Sequence, residues 1–194
     1  RHTTEAMSVR LRCLLPLLAG LVIAACVGVK SRPGNSNASV GIVTFNLYHD
    51  KADWPARRAL AIAELRALRP DVIVLQEVLQ HETLRNQAED LADALGYTAY
   101  FISIDRADKI RRYGNAILTR HPVLVRDWAP LQPFDDSRTA GLLRIDIDGH
   151  PLNVYATHLH HEDNPAGARK RADQLTDLLK FIHRCAGDAT SLVA

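Results

Sequence analysis

One short stretch of the chain reads Pro70-Asp71-Val72-Ile73-Val74-Leu75-Gln76-Glu77-Val78. The Pro70-Asp71 pair ends a preceding helix, because proline cannot continue the helical hydrogen-bond pattern. The apolar run that follows, Val72–Leu75, is typical of a strand that is covered on both faces of a sheet. Glu77 comes where this strand is predicted to end, so it places a carboxylate at the tip of a buried strand.

The residues before this stretch complete a strand–helix–strand unit. A short buried strand is predicted over Val40–Phe45, and it ends at Asn46. Trp54–Arg69 then shows the spacing of an amphipathic helix, with arginines on the polar face. Two strands that are joined by one helix lie in parallel within one sheet. The helix face that we expect to be buried carries Leu60, Ala61, Leu65 and Leu68.

The alternation of helices and strands continues after Glu77. A second helix is predicted over Glu82–Leu95, and it stops at Gly96. Two short strands are predicted over Thr98–Ile102 and Asn115–Thr119.

A hairpin and a long helix follow. The hairpin strands are predicted over Leu142–Ile147 and Leu152–Thr157, joined by the turn Asp148-Gly149. An amphipathic helix is predicted over Pro165–Ala186, and the start of another buried strand over Ser191–Ala194. Strands interspersed with outer helices indicate an α/β fold. The buried side of the long helix is expected to carry Ala168, Ala172, Leu175, Leu179 and Ile182.

Composition excludes two function classes. The 194 residues are 47% hydrophobic, which suits one globular domain with its own core. The formal net charge is only +2 with 24% charged residues, so neither a strongly basic nucleic-acid binder nor a disordered acidic tail is indicated.

The N-terminal residues have the composition of an export signal. A basic stretch after Met7 precedes an apolar run from Cys13 to Val29. Residues 1–25 are therefore interpreted as upstream residues and a signal peptide. Ile23-Ala24-Ala25-Cys26 resembles the lipobox of bacterial lipoproteins, in which the cysteine becomes the lipidated first residue. The alternatives are an ordinary signal peptide or a single membrane anchor that contains a cysteine.

The lipobox interpretation divides the chain into a signal, a tether and a domain. Residues 26–39 are polar and form a lipidated tether, and the folded part covers 40–194. An exported location is expected, in the bacterial outer membrane or periplasm through a lipid anchor. Cys13 leaves with the signal and Cys26 carries lipid, so Cys185 is left without a disulfide partner.

Three polar residues follow predicted strands: Asn46, Glu77 and His158. Strand ends are where open α/β sheets bind ligands, because the backbone holds the side chains in a shared crevice. Each residue also has a purely structural explanation. Asn46 suits a turn, Glu77 suits a helix N-terminus and His158 suits a hydrogen-bonded core position.

The neighbours of these residues carry a family resemblance. Thr44–Leu47, Pro70–Val78, Tyr113–Arg120 and Ala156–Leu159 occur in this order. Together they resemble four successive motifs of the endonuclease/exonuclease/phosphatase superfamily. That family includes pancreatic-type deoxyribonucleases, abasic-site endonucleases, bacterial sphingomyelinases and inositol-polyphosphate phosphatases. The resemblance covers Val40–Ala194 and implies a four-layered α/β sandwich.

The resemblance implies a role for each matching residue. Glu77 is implied to bind Mg²⁺, with Mn²⁺ or Ca²⁺ as alternatives, and Asn46 to lie beside that metal and help hold it. His158 is implied to contact the scissile phosphate. Arg138 aligns with a phosphate-facing arginine of some members, and a solvated loop arginine is the alternative. His160 and His161 lack recognised metal-ligand spacing, so we expect them to be loop residues near the mouth of the site.

A basic cluster precedes the third motif. It would add a positive rim for an anionic substrate, or it is a solvated loop. The cluster consists of Arg106, Lys109, Arg111 and Arg112.

The family pattern contains residues that this sequence does not show. They are a Gly-Asp-x-Asn motif after the last strand, a second metal-linked aspartate, and a terminal Asp-His pair with the general base. Asp188 precedes the last predicted strand, so it does not match that motif. We therefore expect residues 40–194 to be the N-terminal portion of the domain, incomplete at the C-terminus and inactive as given.

Two functions from different classes follow. The first is an exported, Mg²⁺-dependent phosphoester hydrolase, expected to be a monomer. Its substrate is a nucleic acid, a phospholipid head group or a small phosphate ester, since substrate choice in this fold depends on loops. The alternative is a non-catalytic surface or binding lipoprotein that retains the fold.

Overall fold

Two four-stranded sheets pack face to face, and helices cover their outer faces. The computed structural model describes residues 39–194. The predictions for the signal peptide, the tether before residue 39 and lipidation at Cys26 lie outside the described residues.

The first sheet has the strand order β1-β2-β4-β3. Strand β1 pairs in parallel with β2, as the strand–helix–strand unit predicted, and the other pairs are antiparallel. The elements of this half are β1 (Ile42–Asn46), α1 (Trp54–Leu68), β2 (Val72–Gln80), α2 (Gln87–Leu95), β3 (Thr98–Ile102) and β4 (Arg112–Thr119).

The second sheet has the strand order β5-β6-β7-β8. Strands β5, β6 and β7 pair antiparallel, and β8 adds in parallel to β7. A 3₁₀ turn over Phe134–Asp136 connects β5 to β6. The other elements of this half are β5 (Val123–Pro130), β6 (Thr139–Ile147), β7 (His150–Thr157), α3 (Pro165–Cys185) and β8 (Thr190–Val193).

Three apolar clusters hold the layers together. The cluster between the sheets joins Val72 and Val74 of β2 to Leu143 of β6 and Val154 of β7. A second cluster fixes α1 and α2 on the first sheet, and a third fixes α3 on the second sheet. The order helix, sheet, sheet, helix confirms the predicted four-layered α/β sandwich.

The buried face of α1 differs from the prediction. Leu60 and Leu68 are 68% and 63% exposed, although both were expected in the core. Ala61 and Leu65 are buried as predicted, and Ile62, which was not assigned to this face, is buried as well. Leu60 and Leu68 line an open apolar groove beside β1.

Strand β1 is also less buried than predicted. It begins at Ile42 rather than Val40, and Thr44 and Asn46 are exposed. The reason is position: in the described part of the chain β1 is an edge strand, paired only with β2. The same reason applies to β8, where Val193 is 48% exposed.

The helix α3 buries another face than the one predicted. Leu175 and Leu179 are 45% and 64% exposed, whereas Leu178 and Phe181 are buried. Gln174 is fully buried on this face because its amide is hydrogen-bonded, and apolar spacing cannot detect such a position. Of the predicted face, Ala168 and Ala172 are exposed and Ile182 is half-buried.

One helix boundary and one element were also predicted incorrectly. Helix α2 begins at Gln87 rather than Glu82, because Asn86 caps it by accepting hydrogen bonds from the first-turn amides. Residues 81 and 84 form a tight backbone bridge before that cap. Strand β5 was not predicted. Among the described residues, no helix is both long enough and apolar enough to cross a membrane.

Candidate active site

Glu77 lies in a β-bulge in the middle of β2. The register between β2 and β4 shifts between Leu75 and Val78, and Glu77 adopts a φ of 56°. A left-handed conformation is uncommon for a residue with a side chain, and bulges re-aim side chains at sites. The prediction that Glu77 ends its strand is therefore wrong, since β2 continues to Gln80.

The Glu77 carboxylate faces two rings that sequence reasoning did not assign. His49 Nε2 lies 2.9 Å from Glu77 Oε2. The contact lacks hydrogen-bond alignment, so this buried oxygen has no hydrogen-bond donor among residues 39–194. The rings of His49 and Tyr113 have centroids 5.0 Å apart. Both residues sit inside or next to the quoted motifs, which was the signal that could have identified them.

The loop that carries His49 is held by two side chains from other elements, Arg57 of α1 and Gln87 of α2. Arg57 donates to the backbone oxygens of Leu47 at 2.6 Å and of His49 at 3.1 Å. Gln87, which is fully buried, donates to the His49 oxygen at 2.8 Å and accepts from Leu79 N at 2.9 Å. One amide thus links the β1–α1 loop to the part of β2 that follows the bulge.

Asn46 is the last residue of β1 and is exposed. Its Cα is paired with Gln76, so it lies beside the bulge that carries Glu77. Its Oδ1 accepts a hydrogen bond from Tyr48 N at 2.8 Å, and an amide oxygen has a second lone pair for another partner.

His158 follows directly after β7 and is half-buried. Burial, and next the positive charge of Arg138, lower the pKa of His158 below its ordinary value, while Glu77 acts in the opposite direction. The neutral imidazole is therefore favoured. Its Nδ1 atom is buried and has no hydrogen-bond partner in the described part of the chain.

Arg138 is nearly buried rather than solvated. Its side chain is only 11% exposed, and its Nε lies 3.7 Å from Asp136 Oδ2. The phenol of Tyr113 has its pKa raised by burial and then by the charge of Glu77, with Arg138 opposing both. The expectation of a solvated loop arginine is therefore wrong. Glu77, Arg138, Tyr113 and His158 lie close enough for their charges to influence one another.

His160 is buried, contrary to the expectation of a loop residue. It is 5% exposed, and its Nδ1 lies 2.8 and 2.9 Å from the two oxygens of Asp136. Sequence spacing missed this pairing because the two residues are far apart in the chain: Asp136 precedes β6, and His160 follows β7. His161 is exposed, as predicted.

The basic cluster is largely occupied by local contacts. Arg106 and Lys109 each form an ion pair with an aspartate of the same loop, at 2.9 and 3.8 Å. Arg112 stacks over Phe101 at 4.9 Å from the ring centroid. These contacts fit the solvated-loop alternative, and the rim alternative stays open for the exposed Arg111.

The donor set fits a hard cation that keeps most of its water. Glu77 offers a buried carboxylate oxygen without a hydrogen-bond donor, and Asn46 offers an amide oxygen next to it. Within residues 39–194, no three or more His, Cys, Asp or Glu residues cluster as a metal-ligand group. Mg²⁺ is commonly held by only one or two carboxylates together with water and substrate oxygens.

Three solved structures share this fold at low sequence identity. An endonuclease/exonuclease/phosphatase family protein from Leptotrichia buccalis superposes with a TM-score of 0.66 at 16% identity, over 80% of this chain and 66% of that one. TDP2 from D. rerio, complexed with a single-strand DNA product, gives 0.65 at 21% identity, over 79% and 58%. A β-hairpin deletion mutant of beta toxin from Staphylococcus aureus gives 0.64 at 16%, over 80% and 65%.

These structures are similar in fold, and the chain spans less than two-thirds of the length of each. No curated protein sequence matches the chain with significance. The family model "Endonuclease/Exonuclease/phosphatase family" matches residues 43–189, which is more than half of the chain and contains every motif quoted above. The chain therefore belongs to the endonuclease/exonuclease/phosphatase family.

Proposed function

We propose that this protein is a Mg²⁺-dependent phosphoester hydrolase whose site lies where Glu77, Tyr113, Arg138 and His158 converge. One observation carries the proposal. A buried carboxylate oxygen without a hydrogen-bond donor lies within electrostatic reach of a nearly buried arginine and a neutral histidine. This arrangement places an anionic cation-binding group opposite groups that bind phosphate oxygens.

Each side chain has a defined task in this proposal. Glu77 and Asn46 would hold the cation, which when bound supplies charge neutralisation at the phosphoester. Arg138 binds phosphate oxygens through its planar guanidinium, which suits their geometry. His158, neutral because of burial, contacts a phosphate oxygen and stabilises charge that develops there. Tyr113 packs against His49 and limits the movement of the ring beside Glu77.

The substrate class is proposed only as a phosphoester. A nucleic acid, a phospholipid head group and a small phosphate ester all present the same tetrahedral anion to these groups. The D. rerio TDP2 structure holds a single-strand DNA product, which makes a nucleic acid one candidate to assay. The formal net charge of +2 gives the chain little general attraction for a polyanion. We also propose that the protein is a monomer.

Hydrolysis of bis-p-nitrophenyl phosphate by the full-length gene product, in the presence of Mg²⁺ or EDTA, tests the proposal, because residues 40–194 alone are expected to be an inactive portion of the domain. We expect turnover that requires Mg²⁺. It should fall about a hundredfold or more in Glu77→Gln, since the site would lose the carboxylate that holds the cation. Glu82→Gln, an exposed carboxylate near the start of α2, is the matched control and should retain activity. Turnover that survives EDTA, or that is the same in both variants, would overturn the metal-dependent assignment.

The non-catalytic alternative predicts another result in the same assay. A binding lipoprotein would take up Mg²⁺ and inorganic phosphate at the same groups without releasing p-nitrophenol. Isothermal titration with Mg²⁺ and then with phosphate distinguishes binding from turnover. Binding that requires Glu77 and Arg138, without hydrolysis, would favour the alternative.

Export and lipid anchoring are proposed on the basis of the N-terminal sequence alone. Labelled palmitate added to a bacterial culture that expresses the chain should be incorporated through Cys26. Cys26→Ser should abolish incorporation, whereas Cys185→Ser should leave it unchanged. Equal labelling of both variants would overturn the lipobox interpretation.

A further inference from the structure

A polar network lies behind Arg138 and His158, and the proposed reaction does not use it. Asp136, in the 3₁₀ turn before β6, accepts from His160 Nδ1 at 2.8 Å and from Gln174 Nε2 at 2.7 Å. Gln174 in turn accepts from the His160 backbone N at 2.8 Å. The three residues close a ring of hydrogen bonds that uses both the ring and the backbone N–H of His160. Gln174 is fully buried and His160 is 5% exposed.

The same carboxylate is the nearest anion to Arg138. Arg138 Nε lies 3.7 Å from Asp136 Oδ2, and Lys170 Nζ lies 3.9 Å from Oδ1. Both Asp136 and Arg138 have about a tenth of the side chain exposed, at 12% and 11%. A long side chain that is nearly buried beside a fixed carboxylate loses most of its rotamer freedom before a ligand arrives.

The network also restrains the segment that carries His158. Arg171 of α3 donates to the backbone oxygens of His160 at 3.2 Å and of Glu162 at 2.6 Å. Helix α3 therefore holds this segment through two residues of its first turns, Arg171 and Gln174. A rigid element placed behind a site is what keeps its side chains within the small tolerances that ligand binding needs.

We infer that Asp136 is a positioning residue that orients Arg138 and, through His160, the segment of His158 for an incoming phosphate group. The inference rests on the proposed function, because it names the group that sets the geometry of the same site. It makes a prediction opposite in sign to simple electrostatics. Removing a carboxylate next to Arg138 should strengthen anion binding if charge alone mattered, and should weaken it if orientation matters.

Inorganic phosphate is the probe, and its binding is followed by the NMR signals of the His158 ring in the 194-residue chain. We expect Asp136→Asn to weaken phosphate affinity about tenfold, as a displaced binding group does. Asp135→Asn is the matched control, because Asp135 is the exposed neighbour in the same turn and carries the same charge. It should leave the affinity unchanged. Equal or tighter binding by Asp136→Asn would overturn the inference.

A double-mutant cycle separates positioning from general loss of structure. In an Arg138→Met background, Asp136→Asn should lose clearly less phosphate affinity than in the wild type, because the part of its effect that acts through Arg138 is gone and only the part through His160 remains. A merely structural role would produce the same loss in both backgrounds, which would overturn the inference.

A second pair of variants covers the case in which Asp136→Asn does not fold. His160→Asn keeps a donor near the Nδ1 position and should retain phosphate affinity, whereas His160→Leu should lose it. Equal affinity of these two variants would overturn the inference. Bis-p-nitrophenyl phosphate turnover by the full-length gene product is measured in parallel. Asp136-dependent phosphate binding without any turnover would mean that the positioning role holds and the proposed hydrolase function does not.

Discussion

The Nε2 atom of His49 lies 2.9 Å from Oε2 of Glu77, in a contact that lacks hydrogen-bond alignment. This oxygen is buried without a hydrogen-bond donor, and Glu77 has a positive φ. Both features cost free energy in the folded chain. Such a position is retained at sites where function needs an unsatisfied group.

Glu77→Gln should remove Mg²⁺-dependent stabilisation without lowering the stability of the metal-free chain. A neutral amide is easier to bury than a carboxylate, so in EDTA the melting temperature should be equal or higher. In the wild-type chain, Mg²⁺ at a hundred times its Kd adds about 2.7 kcal/mol. Thermal melts with and without Mg²⁺ measure both effects. Glu82→Gln should behave as wild type, and a Mg²⁺ response retained by Glu77→Gln would contradict the prediction.

Gly114→Ala should destabilise the chain strongly. A Cβ at Gly114 would lie 2.0 Å from the backbone oxygen of Ile102, and backbone on both β3 and β4 would have to move. Gly41→Ala is the control, since its Cβ would meet Pro70 at 3.5 Å, an ordinary contact. In urea unfolding, the free energy of unfolding should fall by more than about 2 kcal/mol in Gly114→Ala and by less than about 1 kcal/mol in Gly41→Ala. Equal losses would contradict the close approach of the two strands.

Gln87→Leu should destabilise the loop that carries His49. The change leaves the Leu79 N–H without its side-chain partner, and an unsatisfied buried group costs about 1–3 kcal/mol. It also removes one of the two donors to the His49 oxygen, which keeps Arg57 at 3.1 Å. Urea unfolding measures the loss, and amide hydrogen exchange should show faster exchange at Leu79. The control is Gln132→Leu at an exposed position. Unchanged protection at Leu79 in Gln87→Leu would contradict the bridging role.

Leu178→Ala and Leu179→Ala test the face that α3 buries. Leu178 is 4% exposed and Leu179 is 64% exposed. We expect Leu178→Ala to cost about 2–5 kcal/mol because it leaves a cavity against β6 and β7. Leu179→Ala should lower the free energy of unfolding by less than about 0.5 kcal/mol. The reverse order in chemical denaturation would support the face that apolar spacing predicted.

Stability should fall at mildly acidic pH through His158. Burial and the charge of Arg138 lower the pKa of His158 below its ordinary value of 6.5, so the unfolded chain binds the proton first. The contribution of neutral His158 to the free energy of unfolding is fully present above pH 6.5. It decreases as pH falls towards the lowered pKa of His158 in the folded chain. His158→Asn should reduce this dependence in urea unfolding between pH 7.5 and pH 5.5 in EDTA. An identical pH dependence in both proteins would contradict the prediction.

Much of the architecture could be predicted because it depends on local pattern. The run Val72–Leu75 is fully buried, as a strand covered on both faces should be, and β3 has the predicted bounds of Thr98–Ile102. The turn at Asp148 and Gly149 has two positive φ angles, as the hairpin signal predicted. Family membership followed from short motifs, because residues at strand ends keep their spacing from the strands that carry them.

Contacts between distant parts of the chain could not be predicted. The bulge that carries Glu77 depends on its pairing with β4, so apolar periodicity placed this residue at a strand end. Apolar spacing also misassigned the buried face of α3, because Gln174 is buried by hydrogen bonds to Asp136 and His160.

The sequence alone determined the fold class, the family and three positions for which that family implies roles: Asn46, Glu77 and His158. Each of these conclusions depends on residue type and short spacing, which survive without knowledge of the fold. Only the tertiary structure showed that Arg138 is nearly buried beside Asp136 and paired His160 with the same carboxylate, because those contacts join residues that pack together after the sheets form. The physical reason is that burial and hydrogen-bond satisfaction are properties of the packed chain, whereas periodicity is a property of each segment.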